Sequence, residues 1–227
     1  MLKKLLSYFI PINIYKKRSA VSRSIEITWN NGELVLDSEN TNYSFGSLQR
    51  ILRKGLFAIG PNTIRDMNEI LILGVAAGSV IHTLMKELKF TGKITGVEID
   101  PEIIEIANQY FHLDKMRNVE IILDDAFEFV LKTNKKYDLI IVDIFQDIKM
   151  PSFLFEDYFA KRLCFLLTDG GFLLFNTMIL CDADNERNKQ YLTYFDAVDY
   201  DVWALPRVEQ HNELIIVKKQ LKSNASA

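Results

Sequence analysis

The sequence predicts an α/β fold, a doubly wound and mostly parallel sheet of seven strands, on three observations. The first is the stretch Glu69 to Asp100, EILILGVAAGSVIHTLMKELKFTGKITGVEID, which reads as strand, small-residue turn, helix and second strand. The second is the recurrence of this rhythm downstream, where short apolar runs alternate with amphipathic helical stretches. The third is where the acids fall. Glu98 and Asp100, then Asp124 and Asp125, then Asp143 and Asp147 follow the strands, at the end of a parallel sheet where ligands bind.

The chain of 227 residues is expected to divide into a front piece, 1–60, and a core domain, 61–227. In MLKKLLSYFIPINIYKKRS, Lys3 and Lys4 before an apolar run imitate a signal peptide. Pro11 interrupts that run, no A-x-A-like site follows, and the run is too short to span a bilayer. It predicts a short amphipathic helix packed on the domain or on a second copy, as in a homodimer. Ser24 to Trp29 alternates, Asn30-Asn31-Gly32 turns, and Glu33 to Leu36 alternates again, which predicts a hairpin. A polar loop to Tyr43 and a helix from Gly46 to Phe57 come next, then Gly60-Pro61-Asn62 as separator.

In the core, Ile70 to Gly74 is a buried strand, and Val80, Ile81, Leu84, Met85 and Leu88 line one face of the following helix. Small residues at Gly74, Ala76 and Gly78 let a ligand lie against the backbone, where the helix also points its free N–H groups. A phosphate would call for a third glycine, so G-x-A-x-G-S suits an uncharged adenosine better. The plain alternative is a tight βα turn packed on its own helix. Gly78 is expected to serve the ligand's approach rather than folding. Glu98 ends the strand Lys93 to Val97 and offers two oxygens to ribose hydroxyls.

Asp100-Pro101 starts a helix, with Asp100 as its N-cap. Asn118 to Leu123 is the third strand. Of Asp124 and Asp125 behind it, one is expected to cap the helix from Ala126 and the other to face the ligand. Lys136 to Asp143 is the fourth strand, nearly all apolar in its last half, as a central parallel strand requires. A helix over Leu154 to Leu167, a sharp turn at Asp169-Gly170-Gly171, a strand from Phe172 to Asn176 and a polar helix from Asp184 follow. Strands near Asp201 to Leu205 and Glu213 to Val217, joined by a loop, predict an antiparallel hairpin edge.

A net charge of −3 gives no basic footprint for nucleic acid. Cys164 and Cys181 form no metal-binding spacing and the three histidines are scattered, so no metal is expected. Both cysteines are expected reduced, in or near the core, as in a cytoplasmic protein.

The front hairpin ending in LVLD, ILILGVAAGS, VEIDPEIIEIANQYF, the DDAFEF run, YDLIIVD and TDGGFLLFN resemble the spermidine synthase branch of the class I S-adenosylmethionine-dependent methyltransferase superfamily. The resemblance runs from about Ile25 to Val217 and implies a Rossmann-like fold. It also implies ribose binding by Glu98, approach of Asp125 to the adenine amino group, and a glycine turn beneath the methionine part. Three departures stand out. The first turn reads GVAAGS where the branch has GGGDGG, whose aspartate helps hold the amino group of the nucleoside's side chain. The branch's tyrosine–histidine pair is replaced by NYSFGSLQ. DSSDP becomes DIFQD, with Asp143 at its first aspartate, Gln146 at its second and Asp147 one residue late.

The resemblance implies a transferase that binds S-adenosylmethionine or its decarboxylated form and alkylates a small amine. Asp143, then Asp147, would draw in the amine and take its proton, while Tyr43 and Gln49 would line the cleft. The altered positions favour methyl transfer. The alternatives are polyamine aminopropyl transfer and a non-catalytic adenosine-binding relative.

Overall fold

The computed structural model describes residues 2–19, 21, 24–37, 42–44, 47–145, 149–209 and 211–221. The chain opens with α1 (Leu2–Leu6) and a four-stranded antiparallel sheet. Its strands β1 (Ile12–Lys17), β2 (Ile25–Asn30), β3 (Glu33–Asp37) and β4 (Asn42–Ser44) pair in that order. Helices α2 (Ser47–Ile59) and α3 (Pro61–Arg65) follow. The alternating part then runs β5 (Glu69–Leu73), α4 (Ser79–His82) with a π turn over Thr83–Glu87, β6 (Lys93–Glu98) and α5 (Pro101–Phe111). It continues with β7 (Val119–Leu123), α6 (Ala126–Lys132), β8 (Tyr137–Val142), α7 (Asp157–Leu166) and β9 (Leu167–Met178). The described chain closes with α8 (Asp182–Leu192), β10 (Tyr200–Glu209) and β11 (Asn212–Lys219).

The main sheet is the expected one, seven strands in the order β10-β11-β9-β8-β5-β6-β7. Strands β5 to β9 are parallel, and β11 is antiparallel to both β9 and β10. Both faces are covered, which is why the central strands read as unbroken apolar runs. One face buries Ile70, Ile72, Leu139, Ile141, Leu174 and Leu214 beneath α2 and α4. The other buries Leu71, Leu73, Ile140, Val142, Leu173 and Phe175 with Phe159 and Leu163 of α7 and Tyr191 of α8. The strand order reverses at β5, flanked by β6 and β8, and there the loops leaving β5 and β8 part.

The hairpin β2–β3 turns at Asn31 and Gly32, both with positive φ as a tight two-residue turn demands. Several expectations need correction. Residues 12–17 form a strand that pairs with β2 through a bulge between Asn13 and Tyr15, where only a helix was expected over the first 19 residues. Pro11 stops helical continuation and lets Ile14 and Tyr15 pack on Ile25, Ile27 and Leu36. Helix α1 does not bury its apolar side chains, since Leu2, Leu5 and Leu6 are exposed. Ser7 ties it to the hairpin turn instead, taking N–H bonds from Asn31 and Gly32.

Pro61 begins α3 rather than a separating loop, at the helical position where a missing N–H costs nothing. Asp169-Gly170-Gly171 is absorbed into β9 as an irregularity, since β9 advances from Leu167 to Phe172 while β8 advances from Tyr137 to Leu139. Of the two cysteines, Cys164 is buried but Cys181 is exposed. Among the described residues no helix is long and apolar enough to cross a membrane.

Candidate active site

The small-residue turn lies where β5 meets the ends of β6 and β8. Gly74 has φ +87°, and a Cβ there would fall on the Asp143 carbonyl oxygen, so glycine lets β5 and β8 end side by side. Gly78 has φ +78°, and its Cβ would come 2.9 Å from Leu113 Cδ1. This corrects the expectation that Gly78 serves a ligand alone, because it is also needed for packing. Gly78→Val is expected to cost about 2–4 kcal/mol through left-handed strain and overpacking. Thermal unfolding followed by circular dichroism measures this, and wild-type unfolding would return Gly78 to ligand approach only.

Glu98 ends β6 and is buried, with only 9% of its surface exposed. Its Oε2 accepts the N–H groups of Val75 (3.1 Å) and Ala76 (3.0 Å), and its Oε1 accepts that of Asp100 (3.1 Å). Ala76 sits at φ +48°, a conformation that costs an L-residue about 1–2 kcal/mol and that the bond to Glu98 helps to hold. Burial raises the Glu98 carboxyl above the ordinary range, against the pull of the three N–H groups. A carboxylate has roughly four acceptor positions. Three are taken by backbone, so one remains for a ribose hydroxyl while the turn stays as it is.

Asp100 caps α5 as expected, its Oδ1 accepting Glu102 N–H at 3.0 Å. Asp125 is the cap of α6, accepting Phe127 N–H through Oδ1 at 2.7 Å. The Asp124 Oδ1 accepts the N–H of Asp125 at 2.9 Å. The cap is thus Asp125, the residue on which the resemblance also places the adenine contact, and its second oxygen is the one that does not cap.

Asp143 follows β8 by one residue, and its N–H donates to the Leu73 carbonyl at 2.9 Å. Burial raises its carboxyl to about 6, opposed by a hydrogen bond from Asn176. Asn176, on β9 and fully buried, donates through Nδ2 to Asp143 Oδ1 at 2.9 Å. Asn212 of β11 donates to Asn176 Oδ1 at 3.0 Å. Neither asparagine stands out in the sequence, since Asn176 ends an apolar run and Asn212 comes just before one, like ordinary strand boundaries. The one signal is that both continue the face of Leu174 and Leu214.

Asp147 and Gln146 lie outside the described residues, as does the side chain of Tyr43. Gln49 Nε2 donates to Thr83 Oγ1 at 3.4 Å, which seats the start of α2 over the helix that follows the turn. A groove of about 530 Å³, lined in part by Ala58, Phe172, Trp203 and Lys218, opens toward the opposite end of the parallel strands and contains none of these site residues. The turn, Glu98, Asp125 and Asp143 thus share one end of the sheet. Their small side chains and carboxyl oxygens suit a nucleoside beside a cationic or amine partner.

The model of the spermine/spermidine synthase domain matches residues 51–224. A protein of Bifidobacterium longum named "Probable polyamine aminopropyl transferase" is 30% identical over 129 residues, 57% of this chain and 28% of that one. The chain spans less than half the length of the curated relatives that it matches most strongly. A spermidine synthase crystallised with the transition-state analogue AdoDATO superposes with a TM-score of 0.66 at 18% identity, covering 93% of this chain and 73% of that one. Human methyltransferase-like protein 13 in complex with SAH superposes with a TM-score of 0.59 at 19% identity, covering 78% and 84%. At such identities the two structures establish the fold alone.

Proposed function

Because the chain belongs to the spermine/spermidine synthase family, we propose that it transfers an aminopropyl group from decarboxylated S-adenosylmethionine to a small amine. The observation that carries this reading is the half-buried carboxyl of Asp143, beside the glycine turn at the point where the strand order reverses. The donor's adenosine lies across Gly74 to Gly78. Glu98 takes a ribose hydroxyl on Oε1, and a two-point grip releases the N–H of Val75 or Ala76. The second oxygen of Asp125 receives the adenine amino group.

The acceptor arrives as a cation, drawn by Asp143. Its proton passes to the carboxylate, and the freed lone pair attacks the carbon on the sulfonium in line with the C–S bond. One C–N bond forms, one C–S bond breaks, and the electron pair leaves on a neutral thioether that needs no protonation. The protein therefore contributes alignment and one proton acceptor.

One observation favours a second reading, methyl transfer from S-adenosylmethionine. The turn reads GVAAGS, without the aspartate that the family resemblance leads one to expect against the donor's amino group. Calorimetry with the two donors, followed by product analysis with di- and polyamines, separates the readings. Tighter binding of the decarboxylated donor and an aminopropylated product are expected. Preference for the carboxylated donor with a methylated product overturns aminopropyl transfer.

A further inference from the structure

On the face covered by α2, the neighbouring parallel strands β5, β8 and β9 carry apolar residues in register until one level near the ligand end. There the row changes character. Beyond Ile72, Ile141 and Leu174 stand Gly74, Asp143 and Asn176, and Asn212 stands two residues before Leu214 on the antiparallel strand, opposite Met178. Three of these are joined in a single hydrogen-bonded line, Asn212 to Asn176 to Asp143. A buried amide is costly unless its polar ends are met, and an apolar side chain would extend the core at position 176 at no such cost.

We propose that Asn176 and Asn212 are positioning residues for Asp143, with Asn212 orienting the Asn176 amide so that its NH2 group holds the carboxylate toward the acceptor. An unanchored amide serves either form of an acid, donating to the carboxylate or, turned over, accepting from the carboxylic acid. The bond from Asn212 to Asn176 Oδ1 works against the second option, because turning the Asn176 amide over would set its NH2 against the Asn212 NH2. In this orientation the amide favours the charged form.

Asn176 is neutral, so it steadies the carboxylate without cancelling the negative charge that would attract an amine. Among the described residues, burial and this amide are the influences on the carboxyl. The charged groups at the neighbouring strand ends, Glu98 on β6 and Asp124 after β7, exert no resolved pull. The row's effect on Asp143 stands on geometry, while its place in turnover rests on the reading of Asp143 as proton acceptor.

The test is the titration of the Asp143 carboxyl by carbon-13 NMR in the whole chain, wild type against Asn176→Leu and Asn212→Leu, with no substrate present. The midpoint is expected to rise by about one pH unit in Asn176→Leu, which loses the donor. A smaller rise is expected in Asn212→Leu, whose amide is free to turn. An unmoved midpoint in Asn212→Leu overturns the orienting role. An unmoved midpoint in Asn176→Leu overturns the whole row. Should Asn176→Leu fail to fold, Asn212→Leu, at a half-exposed position, carries the test by itself. With an acceptor in hand, the acid limb of the pH–rate profile is expected to move with the midpoint while donor affinity stays put. A midpoint that moves without the acid limb supports the row and removes Asp143 as the proton acceptor, so the two ideas fail separately.

Discussion

Asp143→Asn is expected to lower turnover by about 10²-fold or more, the scale of a lost general base, while donor affinity changes by less than about twofold. The substitution keeps the shape of the side chain and its contact with the Asn176 amide and removes only the charge. In the wild type, burial raises the carboxyl to about 6, so the rate is expected to fall as pH drops through that value and the acceptor of the proton is lost. The same group links stability to pH. A raised carboxyl binds its proton more tightly in the folded chain, so its contribution favours folding at acid pH and is lost as pH rises from about 4 through 6.

Above that window the charged, half-buried carboxyl costs at most about 3 kcal/mol, less what solvent screening returns. Asp143→Asn is therefore expected to melt higher than wild type at pH 8, with little difference at pH 4. Such a trade of stability for charge is common at active sites. Scanning calorimetry at the two pH values, with initial rates on an amine found by screening, checks both halves. Full activity in the variant would falsify the assignment of Asp143 to the chemistry.

Glu98→Ala is expected to weaken donor binding by roughly 1.5–3 kcal/mol, the range for hydrogen bonds to a charged group. It also leaves the N–H groups of Val75, Ala76 and Asp100 without their acceptor, and Ala76 loses the partner that holds its left-handed conformation. A lower melting temperature accompanies the binding loss for that reason, so affinity is measured on protein with a native circular dichroism spectrum. Glu98→Gln, which retains one oxygen, is expected to fall between the two. If titration calorimetry on folded Glu98→Ala returns the wild-type dissociation constant, Glu98 only braces the turn and does not hold the ribose.

Much of the fold was legible because it depends on short-range pattern. A run of apolar residues marks a strand covered on both faces, a 3.6-residue period marks a helix, and Asp100-Pro101 marks a helix start whether or not the rest of the chain is known. Asn31-Gly32 announces its turn in the same way. The candidate site was legible to the extent that it consists of strand ends, and Glu98, Asp125 and Asp143 fall there once the strands are counted. The family resemblance then attached roles to those positions, including that of Asp125, whose capping bond a residue pattern leaves undecided between it and Asp124.

The sequence by itself thus determined the alternation of strands and helices, the end of the sheet where the acids gather, and the small residues of the first turn. Tertiary structure alone decided what each of those residues touches. Residues 12–17 became a strand because β2 was there to pair with, and Gly78 became a packing residue because Leu113 approaches from another segment. Glu98 met three backbone donors from two loops, which leaves it one acceptor position instead of a clear carboxylate. Asn176 and Asn212 joined Asp143 because an antiparallel strand from the end of the chain lies in register beside β9. Local periodicity reports which way a side chain faces. Contacts between distant segments depend on register, twist and burial, and these exist only once the whole sheet has formed.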